Sequence, residues 1–143
     1  MTNQVLSEAE KSGFILSTTR KNCEQFTSLE RMPRWAKNSI EELIQGEKWT
    51  ELNDRFYKHL TFGTGGMRGR TIGKTITAQE QGERSPKETP RHAAIGTNTL
   101  NEITILKASK ALFQYTKEYI SSLGILEQPR LVVAHDVRHF SVE

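Results

Sequence analysis

Apolar residues recur at helical spacing through the first sixty or so positions. From about Val5 to Leu60 the pattern predicts helix, weakest near Gly13 and the Ser17-Thr18-Thr19 cluster. Pro33 suits the first turn of a helix carrying Trp35, Ile40, Leu43 and Ile44, and Gly46 can stop it. Trp49, Leu52, Phe56, Tyr57 and Leu60 then share one face of a further helix. Leu60-Thr61-Phe62 is short, apolar and strand-like. Between Thr71 and Gly96 no period survives, and Glu80 to Pro90 is polar and interrupted by proline. A loop of that length is functional or disordered.

Periodicity returns after Asn101. Ile105, Ala108, Leu112, Tyr115, Tyr119 and Leu123 trace an amphipathic helix that Gly124 can end. Asn98, Thr99 and Asn101 precede it, and at least one is expected to cap its first turn. Beyond Pro129, the run Leu131-Val132-Val133-Ala134 is continuously apolar and rich in β-branched residues, as in a strand buried on both faces. Helix followed by buried strand makes an α/β unit. Open sheets of that kind meet ligands at the carboxyl ends of strands, where Asp136, Arg138 and His139 fall.

Composition narrows the function more than the fold. The 143 residues suffice for one domain with a core, and 35% hydrophobic with 26% charged content describes a polar soluble chain. A net charge of +3 is too small and too scattered to argue for nucleic acid; it fits some attraction for anionic metabolites. Lys107, Lys110 and Lys117 read as a solvated helix face. Cys23 is the single cysteine, so no internal disulfide forms, and its neighbours give no reason for a reactive thiol. No run reaches membrane-spanning length and residues 1–10 hold no apolar leader, so the expected compartment is the cytoplasm, without membrane partners.

The chemistry concentrates in Phe62-Gly63-Thr64-Gly65-Gly66-Met67-Arg68-Gly69-Arg70. Glycines let backbone N–H groups approach an anion, and arginine offers a planar fork matched to phosphate oxygens. The run reads as a phosphate-holding loop rather than a plain turn because Arg68 lies inside the glycine cluster. Two nucleotide motifs fail: a dinucleotide fingerprint needs glycine at position 68, and Gly69 to Thr75 is one residue short of a P-loop. A nucleotide-phosphate site stays a minor alternative. His135, Asp136 and His139 lack a second carboxylate cluster and do not lie on a helix, so no metal site is expected.

Several segments together resemble one family, the α-D-phosphohexomutases of the phosphoglucomutase/phosphomannomutase branch. Phe62 to Gly69 is similar to its Phe-Gly-Thr-x-Gly-Leu/Met-Arg-Gly signature, and Trp49 to Leu60 resembles the helix leading into it. Gly96-Thr97-Asn98-Thr99-Leu100-Asn101 resembles its Gly-x-Asn-Arg-Met-Asn, with Thr99 in place of arginine. Val133 to Ser141 is similar to its Val-x-x-x-Asp-x-Arg-His-x-Ser strand end.

The resemblance implies an incomplete three-layer α/β/α domain over residues 49–143, with a long polar loop at about 71–97, preceded by a helical segment over 1–48. It implies intramolecular phosphoryl transfer on hexose phosphates through a phosphoserine and a hexose bisphosphate, with Mg2+ as cofactor. Arg68 would steady the phosphoryl oxygens, Thr64, Gly65 and Gly66 would shape the loop, and Arg138 and His139 would support the site. The family's serine loop, metal loop, sugar loop and C-terminal phosphate loop are missing from this sequence. The chain alone is therefore expected to be inactive and marginally stable. A non-catalytic module that binds a phosphorylated ligand or a protein is the alternative.

Overall fold

The structure, a computed structural model, describes residues 2–130, 132–134 and 137–141. It is helix-rich with one small two-stranded sheet. Two compact units divide the chain after Asn101.

Four helices open the first unit: α1 (Thr2–Lys11), α2 (Ser17–Thr27), α3 (Arg34–Gln45) and α4 (Trp49–Phe56). The stretch expected to be helical up to Leu60 thus forms four helices, with breaks near Gly13 and Gly46. Gly13, at φ 76°, turns the chain after α1, and Pro33 stands just ahead of α3 as its N-cap. Helix α4 ends at Phe56, short of the expected Leu60, where Asn22 Nδ2 donates to the Phe56 carbonyl at 2.6 Å. Leu6, Ile40, Leu43, Leu52 and Phe56 meet in the core, where Phe26 and Phe56 pack edge to face at 5.6 Å. Asn53 fixes the α1–α2 turn against α4. Its Oδ1 accepts from Leu16 N and Thr19 Oγ1, and its Nδ2 donates to the Phe14 carbonyl. Because α2 and α3 both pack on α4, the helices before residue 49 share one unit with the segment after it.

The expected strand at Leu60-Thr61-Phe62 shrinks to β1 (Phe62–Gly63), paired antiparallel with β2 (Gly66–Met67). The segment from Thr71 to Gly96 is neither structureless nor wholly polar. It holds α5 (Ala78–Gln81), whose start is a capping box between Thr77 and Glu80. Ala93, Ala94 and Ile95 then enter the core, and Ala94 N donates to the Thr71 carbonyl at 2.7 Å.

The second unit runs from Glu102 and contains α6 (Glu102–Ser122), ended at Gly124 with φ 69°. The helix forms as the periodicity predicts, yet it buries none of its residues. Leu106, Leu112, Phe113, Tyr115 and Tyr119 are all exposed. Val132 and Val133 lie outside any strand and are almost fully exposed, so the anticipated buried strand is not formed among the described residues; Leu131 lies outside them. A strand needs neighbours to satisfy its backbone, and none is present among the described residues.

Candidate functional site

One buried arginine organises the chain around α4. Arg55 is completely shielded from solvent, and every N–H of its guanidinium finds an acceptor. Nε donates to Glu51 Oε1 at 2.7 Å. Nη1 donates to Glu80 Oε1 and the Ile95 carbonyl, and Nη2 to the Thr75 carbonyl and Glu80 Oε2. Burial pulls the Arg55 pKa down, but the hydrogen bonds and charges of Glu80 and Glu51 outweigh it, so the value is raised. Glu80 is itself satisfied by Ser39 Oγ and Ile95 N, each at 3.0 Å.

Two glycines make room for this centre. A Cβ on Gly73 would stand 2.2 Å from Arg55 Nη2, and one on Gly96 would stand 2.6 Å from the Arg55 carbonyl oxygen. Only a bare backbone passes there, so the chain on both sides of the long loop is drawn against α4. Backbone bonds set the rest of the alignment. Asn98 N donates to the Arg55 carbonyl, Leu60 N to that of Thr97, and Leu100 N to that of Arg70, all at 2.8–2.9 Å. Arg70 and Thr99 form a parallel bridge.

A cleft of about 330 Å³ opens beside this alignment. Lys58, Arg68, Arg70 and Lys74 line it, against a single carboxylate, Asp54, in the same wall. Arg70 Nη2 is already engaged by Asp54 Oδ2 at 2.6 Å and Glu51 Oε1 at 3.2 Å. Its Nη1 is shut from solvent with no acceptor among the described residues. The Lys58 ammonium stands 5.1 Å from the centre of the Tyr57 ring, a cation–π distance. Guanidinium and ammonium groups are donors without acceptor capacity, so a cleft lined this way attracts oxyanions.

The residues singled out from the sequence fall in different places. Arg68 lines the cleft, and so does the following Gly69. Thr64 and Gly65 are the two-residue turn of the β1–β2 hairpin, with Gly63 paired to Gly66, ahead of the cleft-lining residues. Gly65 at φ 84° and Gly66 at φ 128° supply the backbone shapes that the reversal needs. Arg138 and His139 belong to the second unit, where both are exposed. His135 and Asp136 lie outside the described residues; among those described, no group of three or more potential metal ligands gathers.

Asn98 and Thr99 are more than helix-cap candidates. Asn98 Nδ2 donates to the Asp54 carbonyl at 3.0 Å, and the buried Thr99 hydroxyl donates to the Ala94 carbonyl at 2.6 Å. Thr99, where the resembled motif carries arginine, is therefore a small residue in a closed position. Sequence reasoning passed over Lys58 and Asp54, met Lys74 only inside the failed P-loop match, and gave Arg70 no role apart from Arg68. Gly73 and Gly96, flanking the loop at the points of closest approach, were the signal that its two ends return to one place.

Burial also settles the cysteine. Cys23 is fully shielded, and desolvation, with help from Glu24, pushes its thiol up to about 12. No helix is long and apolar enough to cross a membrane among the described residues. No family model, curated protein or solved structure matches the chain, which leaves its own residues to carry the functional reading.

Proposed function

We propose that the cleft binds the phosphate group of a phosphorylated hexose, and that the chain is part of an intramolecular phosphotransferase of the phosphohexomutase kind. The observation that carries this reading is the gathering of Lys58, Arg68, Arg70 and Lys74 around one cleft directly after the Phe-Gly-Thr-x-Gly-Met-Arg-Gly run. Cations fixed in place before charge develops are what stabilises a transferring phosphoryl group. Arg68 meets the phosphoryl oxygens, and the Thr64-Gly65-Gly66 turn holds the loop in shape.

The finer architecture belongs to the same proposal. Helix α6 carries apolar residues on several faces and buries none, as suits an element of a larger layered α/β/α domain. The serine that would carry the phosphate and the loop that would hold Mg2+ have no counterpart in these 143 residues. The described residues offer no ligand set for Mg2+. Binding without turnover is the expected behaviour of this chain.

Calorimetric titration of the 143-residue chain with glucose 1-phosphate and mannose 1-phosphate tests the reading. Arg68→Ala is expected to weaken binding roughly tenfold, the loss of one charge-assisted contact. Undiminished affinity in that variant overturns the assignment. A coupled assay for hexose phosphate conversion should show no turnover, and activity above a mock preparation would mean that these 143 residues catalyse the transfer unaided. The closed core of the first unit favours one second reading, a phosphate-binding module without catalysis. Hexose phosphates binding no tighter than inorganic phosphate would favour the module.

A further inference from the structure

Arg55 and Arg70 share one carboxylate oxygen, Glu51 Oε1, and end in opposite states. Arg55 is saturated with acceptors and wholly buried. Arg70 keeps 28% of its side chain exposed, gives Nη2 to Glu51 and Asp54, and leaves Nη1 covered but without an acceptor among the described residues. A charged donor hidden from water and left unpaired is unfavourable where it stands. The resting contact with Asp54 is therefore one that Arg70 gains by exchanging, provided a better acceptor comes within reach. The cleft that both residues line is where an oxyanion would arrive, since Arg68, Lys58 and Lys74 line it too.

We propose that Arg70 is a second, movable anion-binding arm of this cleft, held at rest by Asp54, which a phosphate monoester dianion displaces. On binding, the guanidinium turns so that Nη1 donates to a non-bridging phosphate oxygen. Asp54 is then a competing internal anion rather than a ligand-binding group. Glu51, anchored by Arg55, keeps its hold on Arg70 Nη2 through the exchange. The inference rests on the phosphate reading of the cleft and adds to it a named second cation and a restraint on its use.

The test is a double-mutant cycle on the 143-residue chain, read by calorimetric titration with glucose 1-phosphate near neutral pH, where the ester is largely a dianion. Arg70→Ala is expected to weaken binding roughly tenfold, and Arg70→Lys several-fold, because an ammonium keeps the charge but loses the fork. Asp54→Asn is expected to tighten binding several-fold when Arg70 is present and to have little effect in the Arg70→Ala background.

Tightening of equal size in both backgrounds would show a bulk charge effect and overturn the exchange. If Arg68→Ala weakens binding while Arg70→Ala and Arg70→Lys stay within about twofold of the parent, Arg70 is a structural ion pair only; the proposal fails and the phosphate site stands. If the parent chain binds no phosphate ester, the site reading fails and takes this proposal with it. Circular dichroism melts check that each variant folds, and Arg70→Lys keeps the test decisive if Arg70→Ala does not.

Discussion

Residues up to Asn101 and residues from Glu102 on treat their side chains in opposite ways. Helix α4 has a mixed, polar sequence, yet it buries Glu51 and Arg55 along with Leu52 and Phe56. Helix α6 is richer in apolar residues and buries none of them. Apolar content therefore does not decide which part of this chain has an interior. What decides is whether neighbouring segments supply surfaces and hydrogen-bond partners. The first unit brings α2, α3, α5 and the returning loop against α4, and its buried charges are closed by Glu80, Ser39, Thr75 and Ile95. The second unit offers α6 no such surface among the described residues.

The contrast breaks most visibly at its ionic centre. Arg55→Met leaves Glu80 and Glu51 buried with fewer donor partnerships than they need. Removing one partner from a buried pair typically costs about 3–5 kcal/mol, so the first unit should lose most of its stability. Urea denaturation followed by far-ultraviolet circular dichroism measures the loss. Adding Glu80→Gln should recover part of it, since the uncompensated charge is then gone. A variant within about 1 kcal/mol of the parent would mean that the core rests on apolar packing alone.

The same contrast explains what could be read from the sequence. The helices were legible because Ile40, Leu43, Leu52 and Phe56 sit at helical spacing and do form the core. Helix α6 was legible as a helix for the same reason, but period says nothing of whether a face has a partner. The stretch after Thr71 misled because its composition is polar, and a polar run hides a buried carboxylate such as Glu80 as readily as a solvated one. Arg68 could be singled out because it stands among glycines. Arg70, Lys58 and Lys74 could not be joined to it, because residues 58, 70 and 74 are brought together by backbone pairing between Arg70 and the Thr97–Leu100 segment. Pairing of that kind leaves no periodic trace.

Cys23 gives a smaller effect confined to the first unit. Its folded pKa is raised from 9.0 to about 12 by burial, so the folded state holds the proton more tightly than the unfolded chain. The thiol's contribution is fully present below pH 9.0 and is lost as pH rises toward about 12. Across that window the linkage slope is at most about 1.4 kcal/mol per pH unit. Comparing the pH dependence of unfolding between the parent and Cys23→Ala isolates it. Equal slopes would mean that the thiol is not shielded in solution. The thiol should also resist alkylation until the first unit unfolds.

The smallest effect sharpens the comparison from the other side. Leu112 lies mid-way along α6 and is 53% exposed, so Leu112→Ala removes methyl groups that already meet water. Surface substitutions of this kind stay within about 0.5 kcal/mol, and alanine's helix propensity offsets part of any loss. A buried leucine would instead cost about 2–5 kcal/mol. These ranges do not overlap, so one denaturation series on Leu112→Ala distinguishes a bare helix from a packed one. Hydrogen exchange adds an independent reading: amides of α4 should be protected to the level of global unfolding, and those of α6 only as far as a lone helix of its length allows. A core-sized loss together with strong α6 protection would show that α6 is covered in solution, and the opposition between the two units would then fail at the helix that defines it.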